Sequence, residues 1–156
     1  MALVAAALVA TTWATSRTVG GALASASEGH ALAVMQGVRA DLVDLGGELS
    51  PQDLAQIASD HAAAGLRYIG LFDSRGAVVA QVGEPRGTPA ASFERRREIR
   101  HVGNRVRIDT RLDFRRHMRA PWLASIALEV EPVEADDLRT AARRTFAIVG
   151  VAALTL

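Results

Sequence analysis

The chain has 156 residues, enough for one domain with its own core. Its formal net charge is only +1, yet all 18 basic residues are arginine, alanine dominates the apolar residues and just 4% of residues are aromatic. This argues against a nucleic-acid surface, which combines concentrated basic charge with stacking aromatics, and the absence of cysteine excludes disulfides, thiolate catalysis and cysteine-ligated metal centres.

The first segment, MALVAAALVATTWATS, carries no charge before Arg17, and Trp13 suits a membrane interface. A transmembrane helix over 1–16 is expected. The competing readings are a signal peptide cleaved after the small-residue pattern Ala24-Ser25-Ala26, and a buried soluble helix. Beyond Arg17, the residues Val19, Leu23, Ala26, His30, Ala31, Val34, Val38, Leu42 and Leu45 recur at three- and four-residue steps. They predict a long helix with one apolar stripe, ended by Gly46-Gly47. In LSPQDLAQIASDHAAAG, Ser50 is the N-cap, Pro51 the first helical residue and Asp53 the capping-box partner. Gly65 is the stop, so a helix over about 51–64 follows.

The period then changes to two. LRYIGLF and AVVAQV read as strands joined by the turn Asp73-Ser74-Arg75-Gly76, and GEPRGTPAA reads as a loop. RREIRHVGNRVRIDTRL reads as a second hairpin closed by Gly103-Asn104. A two-residue turn there pairs Val102 with Arg105 and sets Ile99 opposite Ile108. Ile99 and His101 then share a core face with Val106, Ile108 and Thr110, while Glu98, Arg100, Arg105, Arg107 and Asp109 share a solvated one. WLASIALEVE supplies a fifth strand with Trp122, Ala124, Ile126, Leu128 and Val130 on one face. EPVEADDLRTAARRT continues helically into the uncharged run Phe146–Leu156. Those eleven residues would span about 17 Å as a helix, short of a bilayer core of about 30 Å. They are expected to be the start of a second crossing, truncated in this chain.

Several constellations invite chemistry. The histidines His30, His61, His101 and His117 could sense pH or hold a divalent metal, but they fall on different predicted elements with no ligand spacing. The simpler account puts His30 and His101 on core-facing positions and leaves His61 and His117 solvated, so no metal and no cofactor is expected. Ten arginines crowd into residues 95–119: Arg95, Arg96, Arg97, Arg100, Arg105, Arg107, Arg111, Arg115, Arg116 and Arg119. A solvated face balanced by Glu98, Asp109 and Asp113 is the plain account. A bound small anion and contact with lipid headgroups are the functional ones. The anion reading takes Arg95, Arg97, Arg100, Arg107, His101 and Tyr68 as ligand contacts. Asp136 with Asp137, and Glu129 with Glu131, lack a nucleophile or phosphate loop beside them, so no catalytic residue is assigned.

The element order, together with YIGLFDSRGAVVAQVGEP (Tyr68–Pro85) and IALEVEPVEADDLRTAARRTFAIVGVAAL (Ile126–Leu154), resembles the N-terminal input region of bacterial two-component sensor histidine kinases. There, a PAS-like extracytoplasmic domain of the PDC or single-Cache type sits between two transmembrane helices. The resemblance implies an α+β fold: a PAS-like five-stranded antiparallel sheet with long N-terminal helices over residues 17–144, flanked by crossings at 1–16 and 145–156. It further implies an inner-membrane protein with a periplasmic sensor domain, a homodimer in contact with lipid, a small ligand, and a response regulator downstream of the full-length kinase. The kinase residues would follow the second crossing, so none falls in this chain. The long helix could pack under its own sheet, pair with a second copy, or do both on different faces. The alternative outputs are a chemoreceptor or a cyclic-dinucleotide enzyme, and the alternative class is an exported, membrane-anchored binding protein.

Overall fold

The computed structural model describes residues 2–45, 49–89, 97–112 and 123–132. The chain forms two compact units, one comprising Met1–Ser27 with Val133–Leu156 and the other Glu28–Pro132.

Nothing between residues 2 and 44 forbids a helix, and alanine-rich sequence favours one. Where two successive elements were expected, a single helix, α1, therefore runs Ala2–Asp44. The hydroxyls of Thr15, Thr18 and Ser27 donate to the carbonyls of Thr11, Ala14 and Leu23, so the helix satisfies them itself. Among the described residues, no helix is long and apolar enough to cross a membrane. The expected second crossing lies outside the described residues.

In the unit Glu28–Pro132, helix α2 (Pro51–Asp60) starts as expected. Ser50 Oγ accepts from the Asp53 amide, and Asp53 accepts in return from the Ser50 amide. It ends four residues earlier than expected, because Ala62 and Gly65 donate to carbonyls three residues back and turn the chain into the sheet. The strands are β1 (Leu66–Asp73), β2 (Val78–Gly83), β3 (Arg97–Val102), β4 (Arg105–Arg111) and β5 (Leu123–Val130). They form an antiparallel sheet of order β2-β1-β5-β4-β3. The fold is α+β. The two hairpins form as expected, with Val102 opposite Arg105 and Ile99 opposite Ile108. What joins them is β5, which inserts between β1 and β4.

One face of the sheet carries Ile69, Leu71, Val106, Ile108, Ile126, Leu128 and Val130, all buried against Ala31, Val34, Met35, Val38 and Leu42 of α1 and Leu54 and Ile57 of α2. The predicted stripe is thus real from Ala31 to Leu42, with Met35 added. Ala26, His30 and Leu45 are exposed.

Gly65 fastens the α2–β1 turn to the end of β5, its carbonyl accepting from the Glu131 amide at 2.8 Å. Its φ is +87°, and a Cβ there would lie 2.1 Å from the Glu131 carbonyl oxygen. Gly65→Ala is therefore expected to lose at least about 2 kcal/mol of stability, measured by urea unfolding. A loss below about 0.5 kcal/mol would show that this junction is not a constraint.

Candidate functional site

The other face of the sheet is ionic. Alternation along β4 and β5 places Arg105, Arg107 and Asp109 beside Ser125, Ala127 and Glu129, while Tyr68 and Phe72 of β1 complete the surface. Sequence reading treats this face as solvated. The structure corrects that: Arg107 and Glu129 are fully buried and Asp109 is 3% exposed. The face is covered in part by the strap Glu84–Pro89, which follows β2 and folds back over it.

Arg107 is the hub. Its Nη1 donates to Glu129 Oε1 at 2.9 Å and to the Gly87 carbonyl at 2.8 Å, while its Nε and Nη2 donate to Asp109 at 3.0 Å. Its guanidinium carbon lies 5.7 Å from the centre of the Tyr68 ring, within cation–π reach. A buried cation is tolerable only with this degree of pairing.

Glu129 is the counterpart. It accepts from the backbone amides of Arg86 and Gly87, from Arg107 Nη1 and from Arg105 Nη1 at 3.2 Å. Burial alone pushes this carboxyl up, but the two amides and then the two guanidinia outweigh burial and hold it below the usual carboxylate range. For Arg107, burial works against the charge and the two carboxylates overcome it, so its affinity for the proton rises. Burial raises the Tyr68 phenol above its ordinary value, although neighbouring Arg107 pulls it down.

The strap approaches closely because Gly87 has no side chain. A Cβ there would lie 2.8 Å from Arg107 Cδ and 3.1 Å from Val102 Cγ2. At the rim, Arg100 Nη2 donates to Asp109 at 2.7 Å and to the Thr88 carbonyl at 2.9 Å. Arg105 Nη1 donates to the Glu84 carbonyl at 3.0 Å. Among the described residues, three buried side-chain polar atoms have no hydrogen bond: Ser125 Oγ, Arg105 Nε and Arg100 Nε, the last at ion-pair distance (3.3 Å) from Glu98.

Of the expected ligand contacts, the structure brings together Tyr68, Arg100 and Arg107. Arg97 and His101 lie on the opposite face by register, and Arg95 is outside the described residues. Glu129 and the strap were missed. The signal for Glu129 was available in the alternation of β5, since placing Ile126 and Leu128 inward forces Glu129 to the other side. Glu129 and Glu131 do not form a pair; Glu131 meets Arg67 at 3.1 Å and Asn104.

The histidines do different work from that expected. His61 is half-buried and 2.7 Å from Asp41, His101 is 3.1 Å from Glu28, and His30 is 2.8 Å from the Ala64 carbonyl. Each joins the C-terminal part of α1 to another element of the same unit. His117 lies outside the described residues, and among those described no group of three or more metal-ligating side chains occurs. Comparison with protein-family models, with curated proteins and with solved structures gave no match.

The depressed Glu129 carboxyl fixes the sign of a pH effect. Between its folded value and the unfolded value of about 4.3 the unfolded chain binds more protons. Stability from this group is thus complete above that window and is lost as pH falls through it. Glu129→Gln is expected to be less stable than wild type by about 3 kcal/mol at pH 7, with the difference shrinking below about pH 4. Urea unfolding from pH 3 to 7 measures this, and a difference independent of pH would remove the charge of Glu129 from the account.

Proposed function

We propose that this chain is the signal-sensing input region of a membrane-bound two-component sensor histidine kinase, with its PAS-like sheet domain extracytoplasmic. The observation that supports this most is α1. One unbroken helix spans Ala2–Asp44, and its residues Ala31, Val34, Met35, Val38 and Leu42 are part of the sheet's own core. A core packed this tightly shifts between discrete arrangements rather than deforming gradually. A change in sheet packing therefore moves the part of α1 that the sheet holds, Ala31–Leu42, and an input domain requires such a movement of the element that carries its signal. The five-stranded antiparallel sheet with both helices on one face agrees with the PAS-like arrangement to which the sequence order points.

The membrane part of the reading rests on the uncharged segment before Arg17, and on hydroxyls that bond back into their own helix, as an apolar medium demands. The same reading takes the uncharged run Phe146–Leu156 as the start of a second crossing. Downstream, the resemblance implies a dimeric kinase and a response regulator.

The chain has no cysteine, so a single one at Arg75, in the exposed β1–β2 turn, reports its surroundings uniquely. Expressed in a bacterium, Arg75→Cys is expected to sediment with membranes through a high-salt wash. It should also react with an impermeant maleimide once the outer membrane is opened. Recovery of the chain in the soluble fraction would overturn membrane attachment, and labelling only after cell lysis would overturn the orientation.

A further inference from the structure

The strap Glu84–Pro89 is held in an unusual way. Glu84, Pro85, Arg86 and Thr88 are exposed and Gly87 is half-buried, so the strap contributes no apolar side chain to the core. It also makes no strand ladder. What fixes it is a set of hydrogen bonds between its backbone and charged side chains of the sheet. The amides of Arg86 and Gly87 donate to Glu129 at 2.9 and 2.8 Å, and the carbonyls of Glu84, Gly87 and Thr88 accept from Arg105, Arg107 and Arg100. One further bond, Arg86 Nη1 to Asn104 Oδ1, lies outside this set.

Two of these features form an oxyanion receptor: consecutive amide N–H groups and two guanidinia converging on one carboxylate. Charge makes the occupant necessary. Arg100, Arg105 and Arg107 are offset by Glu98, Asp109 and Glu129, and without Glu129 the guanidinium of Arg105 loses its carboxylate while that of Arg107 is left with Asp109, which it shares with Arg100. We propose that the strap is latched shut by Glu129, a tethered carboxylate occupying an anion receptor made by Arg86 N, Gly87 N, Arg105 and Arg107, and that this receptor accepts a free small carboxylate when the Glu129 carboxylate is removed.

The latch ranks above ordinary core packing because it concentrates the strap's attachment on one side chain. Removing Glu129 withdraws the acceptor for both amides and unbalances the arginines that hold two of the three carbonyls. The tethered carboxylate also excludes competitors: a free anion can enter only after the strap lifts and Glu129 is neutralised. The groups facing Glu129 are Arg86 and Gly87 from the strap, Arg105 and Arg107 from β4, and Tyr68 from β1. Asp109 reaches it through Arg107, and Arg100 of β3 through Asp109.

The test uses Glu129→Ala, because the atoms removed correspond to acetate. Hydrogen exchange is followed at the Arg86 and Gly87 amides, with Leu128 and Ile108 as core references. Relative to wild type, the variant is expected to exchange at least about tenfold faster at both strap amides while the core references stay protected. Acetate should restore protection saturably, where equal concentrations of chloride or the neutral isostere acetamide do not. Wild type should not respond to acetate. Unchanged strap protection in the variant, or rescue equal to that by chloride, overturns the latch. Wild type itself provides a check that needs no variant to fold: the Arg86 and Gly87 amide resonances should shift together with the titration of the Glu129 side-chain carboxyl. Strap amides indifferent to that titration would overturn the proposal equally.

Discussion

A single guanidinium, that of Arg107, sets the terms for this domain. It is fully buried in the middle of a sheet, and a buried cation is stable only if its partners are all in place together. Those partners come from four parts of the chain: Asp109 two residues on, Glu129 from β5, the Gly87 carbonyl from the strap and the ring of Tyr68 from β1. The strand order brings them together. With β5 between β1 and β4, Glu129 pairs in register with both Tyr68 and Arg107. A slip of one residue would turn Glu129 into the apolar layer and put Leu128 among the charges. The ion pair thus acts on register, and register in turn decides which face of every strand meets the helices.

The sheet's two faces are held by different forces. Toward α1 and α2 the contact is aliphatic, and its strength follows the apolar area withdrawn from water. Toward the strap it is ionic and directional, and it depends on protonation and on the identity of a few side chains. Aliphatic packing of this kind opens only with the whole domain, whereas a strap without apolar anchors belongs to the part of a structure that opens locally. A domain built this way has a stable half that carries α1 and a responsive half that carries the charges. The histidines lie on the stable side: His30, His61 and His101 each tie α1 to the layer beneath it.

Much of the architecture was legible because its signals are local. The capping box of Ser50 and Asp53, the Gly103-Asn104 turn and the alternation of β3 and β4 each depend on residues only a few positions apart, and each forms as the residues imply. The expectations that needed correction involved length or distance. Two helices became one because nothing between residues 2 and 44 interrupts a helix, and α2 stopped early because the turn to β1 takes four alanine-rich residues that propensity alone would have kept helical. The arginine-rich face was expected to be wet because charge on a strand usually marks solvent. What covers it in part is a strap whose own sequence, EPRGTP, gives no indication of where it folds back.

By itself, then, the sequence determined the elements, the class of fold and which residues of each strand share a face, since periodicity, caps and turn chemistry act over a few residues. Only the tertiary structure decided that β5 inserts between the two hairpins, that Arg107 is enclosed, and that Glu129 rather than the neighbouring arginines is the centre of the ionic face. Those outcomes join residues twenty to sixty positions apart. At such separations the energy of a contact depends on everything else that has already been buried, and no local pattern encodes it.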